Sequence, residues 1–257
     1  MKDLFSISGK VAVVTGGSRG IGAMIARGFL ENGAKVYISA RKLDELNASA
    51  EALSEFGECI PIQADLGSQA GTEAFAKALQ ERESKIDILV NNAGASWGAP
   101  LDEFPENGWD KIMQVNVKSI FFLTQMLLPQ LRASGTAEDP ARVINIASIN
   151  GITNPKLTNY SYSASKAAVI QLTRHMAVDL AADNININGI APGFFPSKMT
   201  EYLIDEAEET APTFIPRGRM GQPEDVAGTA IYLSSRASAW VCGHTLVLDG
   251  GSVAQAG

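Results

Sequence analysis

A phenol and an ammonium stand four residues apart at Tyr162 and Lys166. On a helix the i, i+4 spacing puts both on one face, within reach of each other. A free phenol titrates near pH ~10 and is a poor acid at neutrality, whereas a neighbouring cation favours the phenolate and lowers that value. The pair is therefore expected to give and take a proton in the working range. Upstream, Ser148 closes an apolar run and offers a hydroxyl suited to a carbonyl oxygen. Tyr160 is the competing phenol, but four positions on it meets Ala164, so it lacks the cation.

Such a pair also occurs in helices that do no chemistry, so the elements that position it matter. The apolar run Val11-Ala12-Val13-Val14 breaks into Thr15-Gly16-Gly17-Ser18-Arg19-Gly20-Ile21-Gly22 and then a segment striped by Ile21, Ile25 and Phe29. That pattern predicts a strand, a glycine loop and a helix. A helix N-terminus offers unpaired N–H donors and a partial positive charge, and Gly16, Gly20 and Gly22 let a pyrophosphate approach the backbone. The spacing is G-x-x-x-G-x-G, not the general G-x-G-x-x-G. In doubly wound folds an acidic residue ending the second strand meets the ribose of NAD. Here that position is Ala40, followed by Arg41. A permanently charged, planar group suits a 2′-phosphate, so Arg41, helped by Arg19, is expected to select NADP(H).

Further strands are predicted over Lys35 to Ser39, Cys59 to Gln63, Ile86 to Val90, Arg142 to Ala147, Ile185 to Ile190 and Thr245 to Leu248. Helices are predicted over Lys42 to Phe56, Ser68 to Glu83 with Ser68 as cap, Trp109 to Leu131, Tyr160 to Leu180 and Pro223 to Ser235. The alternation gives an α/β fold: a Rossmann-type, doubly wound, parallel seven-stranded sheet with helices on both faces, forming a single domain over residues 1–257. Pro196 to Pro216, within a substrate-loop region at 194–216, is the expected lid. The formal charge of −7 and the absence of a dense Lys/Arg cluster argue against a nucleic-acid partner. No apolar run of about 18 residues suggests a membrane span. Cys59 and Cys242 are far apart in apolar contexts and are expected to be buried thiols, with no metal site. A cytoplasmic enzyme is the expectation.

Taken together, the motifs resemble the short-chain dehydrogenase/reductase family over about Phe5 to Gly251. They are the glycine loop, Asp65-Leu66, Asn91-Asn92-Ala93-Gly94, Asn116, Ser148, Tyr162 with Lys166, and Pro192-Gly193. The resemblance implies that Tyr162 is the acid/base, that Ser148 orients the carbonyl, and that Lys166 holds the nicotinamide ribose and tunes Tyr162. It further implies that Asn116 positions a water linking Lys166 to solvent. Asp65 and Leu66 would flank the adenine, and Asn91, Asn92, Ala93 and Gly94 would meet the cofactor. Ile190 to Gly193 would line the nicotinamide, with Phe195 and Ser197 following. Ser197 replaces the usual Thr, and the Ser148-to-Tyr162 interval of 14 is a residue longer than usual. Relatives pack the Val169, Leu172, Met176, Leu180 stripe against another subunit, which implies a homotetramer.

Within the family the chain is most similar to 3-oxoacyl-(acyl-carrier-protein) reductases, including the ketoacyl reductase associated with rhamnolipid synthesis. The resemblance thus implies an NADPH-dependent reduction of a ketone, such as a 3-oxoacyl thioester. Aligned on Tyr162, the basic residues with which fatty-acid-synthesis reductases dock an acidic carrier fall near Asp139 and Asp183, and like charges slow such an encounter. Two other readings stay open: a polyol or sugar-acid dehydrogenase, and a non-catalytic NADP(H)-sensing regulatory protein. Trp97, Phe194, Phe195 and Tyr202 are expected to wall an apolar pocket.

Overall fold

Every residue of the strand Val11–Thr15 (β1) is buried, because its alternating side chains feed two different cores. Ala12 and Val14 point to one face, packing with Ile25, Phe29 and Val226, while Val11 and Val13 point to the other with Phe75, Leu79 and Leu131. That is the period-two consequence of a sheet covered on both sides. The structure, a computed structural model, describes residues 3–154, 157–196, 211 and 213–255.

The remaining strands are β2 Lys35–Ala40, β3 Cys59–Gln63, β4 Ile88–Asn91, β5 Ala141–Ile146, β6 Ile185–Pro192 and β7 Thr245–Leu248. They form one parallel sheet in the order β3-β2-β1-β4-β5-β6-β7. The chain reverses its direction of winding between β1 and β4, which opens a crevice at their carboxyl ends. Helices among the described residues include α1 Gly20–Glu31, α2 Leu43–Leu53, α3 Gln69–Gln80, α4 Glu106–Met113, α5 Ser119–Met126, α6 Leu128–Ser134, α7 Tyr160–Leu180, α8 Pro223–Ser234 and α9 Ser252–Gln255. Ser68 caps α3 as expected, its hydroxyl accepting from the Gly71 N–H at 3.1 Å.

The helix expected over Trp109 to Leu131 is three pieces. A π turn, Gln114–Lys118, joins α4 to α5, and the chain breaks again at Leu127, where ψ is 3°. Pro129 explains the second break, because it lacks an N–H and its ring clashes with the preceding turn. The thiols also differ from expectation: Cys59 is half-buried and Cys242 exposed. Cys59 begins β3, an edge strand with a neighbour on one side only, and Cys242 lies in the segment that leads into β7, the other edge strand.

Asp139 and Asp183 are not bare negative charges. Asp139 pairs with Lys10 at 2.9 Å and with the buried Arg142 at 3.2 Å, and Asp183 takes two hydrogen bonds from Arg132. The like-charge objection to a carrier-borne substrate is weakened accordingly, since each carboxylate already has its cation. Of the expected lid, residues 197–210 and 212, with Ser197 and Tyr202 among them, lie outside the described residues.

Candidate active site

Thr15 at the end of β1 organises the crevice. Its hydroxyl accepts from the backbone N–H groups of Asn92 and Ala93, both at 2.9 Å, and donates to the Val90 carbonyl at 3.3 Å. Asn92 answers with its amide, donating to the carbonyls of Thr15 at 2.8 Å and Gly16 at 3.2 Å. The glycine loop and the Asn92-Ala93-Gly94 segment are thereby stitched together across the switch point. Gly16 and Gly20 have φ of +65° and +53°, a region costly for residues with a Cβ. Gly22 is required by proximity: a Cβ there would lie 2.4 Å from both the Gly16 carbonyl and the Asn92 amide.

The N-terminus of α1 carries no acidic residue in its first turn, and its cap residue Arg19 makes no side-chain cap bond. Free N–H groups of this kind bind anions. Arg19 makes a long 3.5 Å contact with Glu45, and Ser18 lends its carbonyl to Ser49. The exposed Arg41 has no ion-pair partner among the described residues, and its carbonyl is held by the Gln63 amide at 2.9 Å. Asp65 is exposed past the end of β3, whereas Leu66 is 5% exposed and packs into the core. Asn91 departs from the cofactor contact implied for it. It is 2% exposed and spends its amide on Asn145 at 2.9 Å and Thr124 at 3.2 Å, tying β4 to β5 and α5.

The acid–base groups meet at the far side of the same crevice. Ser148 follows β5, caps the short turn Ile149–Gly151, and lies beside the Tyr162 phenol. Gly151 allows this closeness, because a Cβ would lie 2.6 Å from the Lys166 backbone. Lys166 is 4% exposed, and its ammonium lies 5.5 Å from the centre of the Tyr162 ring and donates to the Ile146 carbonyl at 2.7 Å.

The electrostatics correct the expected titration. Burial pushes the Tyr162 phenol above its ordinary value, and the neighbouring Ser148 hydroxyl pulls it partly back. The Lys166 ammonium lies over the ring face and bonds the end of β5, and burial draws its own pKa down to about 8. Tyr160, the competing phenol, packs edge-on against Phe104 at 5.9 Å.

Asn116 sits in the π turn, fully buried. Its carbonyl oxygen accepts from the Ala95 N–H at 2.9 Å, and its amide donates to the Ala95 carbonyl and the Ser165 hydroxyl, both at 2.9 Å. With these groups committed, any water it positions is held by its backbone. A Cβ at Gly94 would lie 3.3 Å from the Asn116 oxygen and 3.8 Å from the Lys166 ammonium, so the three groups are neighbours.

Pro192 ends β6, and Gly193 donates to the Leu248 carbonyl at 2.9 Å. Phe195 is not a pocket wall: it is 3% exposed and belongs to the core with Ile144 and Ile190. Phe194 packs edge-on against Phe214 at 5.1 Å, and Trp97 lies against Gly108 with Lys111 over its ring. Thr15, Gly151 and Ser165 escaped the sequence reading. Thr15 opens the glycine loop and Ser165 precedes Lys166, so their places beside the two motifs were the available signal.

Residues 10–208 match the family model described as short chain dehydrogenase. Over 253 residues the chain is 49% identical to a rhamnolipids biosynthesis 3-oxoacyl-(acyl-carrier-protein) reductase of Pseudomonas aeruginosa, spanning 98% of this chain and 99% of that one. It is 38% identical over 253 residues to gluconate 5-dehydrogenase of Gluconobacter oxydans, spanning 97% and 96%. Among solved structures, a Pseudomonas aeruginosa RhlG/NADP active-site complex superposes with a TM-score of 0.94 at 49% identity, covering 98% of this chain and all of that one (100%). Sequence, sheet order and site geometry agree, and the chain belongs to the short chain dehydrogenase family.

Proposed function

We propose that the protein is an NADPH-dependent reductase of a 3-oxoacyl (β-ketoacyl) thioester or a related β-keto substrate, working as a single domain with a substrate loop at 194–216. The observation that carries this reading is the Tyr162 phenol, beside the Ser148 hydroxyl with Lys166 over its ring, at the same sheet edge as the glycine cradle. A 49% identical relative named as a 3-oxoacyl reductase supports the substrate class.

The residues present fit the dinucleotide. The α1 N-terminus lacks a competing carboxylate, and Arg41 has no ion-pair partner among the described residues. Gly16, Ser18, Arg19, Gly20, Ile21 and Gly22 would hold the pyrophosphate and Arg41 the 2′-phosphate. Asp65 and Leu66 would border the adenine. Asn92, Ala93, Gly94, Pro192 and Gly193, with Ser197 from the loop, would border the nicotinamide side, and Phe195 would support that wall from beneath. When bound, the nicotinamide supplies a hydride for the carbonyl carbon. The protein's part is the oxygen: Ser148 donates a hydrogen bond to it, and Tyr162 protonates it as charge develops. Lys166 favours the phenolate left behind, and the Asn116 turn returns a proton toward it.

Subunits would assemble as a homotetramer. A groove of about 510 Å³ between the α4–α5 region and α7, lined by Met113, Val117, Phe121, Phe122 and Leu172 with Asp110, Gln114 and Lys118 beside them, supplies a largely apolar face for a second copy. A cytoplasmic location is proposed from the two unpaired thiols. No helix among the described residues is long and apolar enough to cross a membrane.

NADPH consumption across β-keto thioesters, β-keto esters, 5-keto sugar acids and cyclic ketones tests the reading. The β-keto compounds are expected to give the highest kcat/KM. Preference for sugar acids would replace it with the gluconate chemistry of the 38% identical relative. No turnover on any ketone would favour an NADP(H) sensor.

A further inference from the structure

One side chain between the two candidate acid–base residues has no part in the scheme above. Ser165 lies on α7 between Tyr162 and Lys166 and is 0% exposed. Its hydroxyl donates to the Tyr162 carbonyl at 2.7 Å and accepts from the Asn116 amide at 2.9 Å. The directions are forced: the amide nitrogen can only donate, so the single hydroxyl proton goes to the carbonyl. The Ala95 backbone takes the rest of the Asn116 side chain through two 2.9 Å bonds. A satisfied chain thus runs from Ala95 through Asn116 and Ser165 to Tyr162, each bond polarising the next.

The place of this chain gives it a consequence. Asn116 sits in the π turn Gln114–Lys118, where the helix is wider and its hydrogen-bond register is shifted. Among the described residues, the bond from Asn116 to Ser165 is the one side-chain hydrogen bond between that turn and α7. The Tyr162 carbonyl it ends on is also where helix geometry directs the N–H of Lys166. Ser165 therefore bonds the turn and the Tyr162 carbonyl at once, and stands next to Lys166 in the chain.

From this juxtaposition we infer that Ser165 is a positioning residue for proton delivery. It holds the Asn116 turn in register with Tyr162 and Lys166, so that the turn's backbone keeps a fixed separation from the ammonium. The inference rests on the acid–base reading of Tyr162. The plainer role for a buried helical serine is a bond back to its own preceding turn. Among the described residues Ser119 has that role alone: it is 3% exposed, and its hydroxyl donates to the Val115 carbonyl at 2.7 Å with no second side chain.

The test measures kcat, its pH profile and its solvent isotope effect with NADPH and a β-keto ester for Ser165→Ala, Ser165→Cys and Ser119→Ala. Ser165→Ala is expected to lower kcat about tenfold, a fraction of a full acid–base contribution. It should also raise the solvent isotope effect and displace the pH profile while leaving the NADPH KM in place. Ser165→Cys, similar in shape but a weaker hydrogen bonder, should fall between it and the parent. Ser119→Ala should keep the parent profile. A parent-like profile and isotope effect in Ser165→Ala would overturn the inference, whatever happens to its stability. Tyr162→Phe in the same assay separates the two readings. If it retains turnover, the acid–base assignment fails; if it is inactive while Ser165→Ala behaves like the parent, only the positioning role fails.

Discussion

The two ends of β5 each bury a cation, and they do so in opposite ways. At the amino end Arg142, 0% exposed, is bonded to the Asp139 carboxylate and to the carbonyls of Pro140 and Ser235, and Lys10 joins the same carboxylate. At the carboxyl end Lys166, 4% exposed, bonds the Ile146 carbonyl, and among the described residues no carboxylate pairs with it. Burial lowers both pKa values, but Asp139 pulls Arg142 back up, whereas Lys166 is drawn to about 8. Removing charges from water is costly, and a counter-ion offsets that cost. The paired guanidinium is a clasp that stays charged, and the unpaired amine is one that titrates within reach of physiological pH.

The difference can be broken from either end. The largest effect is expected for Lys166→Met, which should lower kcat by about a thousandfold, within the range of an acid–base partner. Circular dichroism and urea unfolding of the same variant should show a fold at least as stable at pH 7, because an uncompensated buried charge has gone.

Asp139→Ala tests the other end. It leaves Arg142 and Lys10 facing each other without their carboxylate, and should cost about 3 kcal/mol in urea unfolding. Turnover of the folded fraction should be unchanged. Arg142→Met, which removes the buried charge itself, should cost less.

A pH series sharpens the contrast. Lys166 has a native pKa near 8 against an ordinary value of 10.5, so between those values the unfolded chain binds more protons than the native one. Stability therefore rises with pH across that window and is lost again as pH falls toward 8. Relative to Lys166→Met, the gain should approach about 3 kcal/mol by pH 10.5. A flat difference between the two proteins would mean that Lys166 is not held as described.

The smallest effect belongs to a third cation at the same sheet edge, the exposed Arg41. Arg41→Ala should raise the NADPH KM about tenfold, the value of one charge-assisted contact, and leave the NADH KM unchanged. Equal changes for both nucleotides would remove Arg41 from the 2′-phosphate.

Much of this arrangement was legible in residue order, because local rules and tertiary packing agree along most of the chain. The apolar stripe of Tyr160–Leu180 gives α7 its observed bounds, and Ser68 caps α3 where its type and place require. Legibility fails where an interaction is decided by what folds back from far away. Nothing in Gln114-Val115-Asn116-Val117-Lys118 signals a π turn, which exists here with Asn116 committed to Ala95 and Ser165. Phe195 looks like a pocket aromatic but is buried in the core beside Ile190. The i, i+4 rule placed Lys166 beside Tyr162 correctly, yet the ammonium's direction is set by the Ile146 carbonyl, 20 positions upstream. Pattern gives neighbours along a helix face; it does not give the partner each polar atom finally takes.

The central claim is that the Tyr162 phenol protonates the carbonyl oxygen of a β-keto substrate. The most direct measurement compares the parent and Tyr162→Phe for NADPH affinity by fluorescence titration and for single-turnover reduction of a β-keto ester. The account predicts unchanged affinity and a loss of the reduction rate of about a thousandfold or more, since one hydroxyl has been removed and no packing atom. A reduction rate near that of the parent, with NADPH bound equally well, would contradict it.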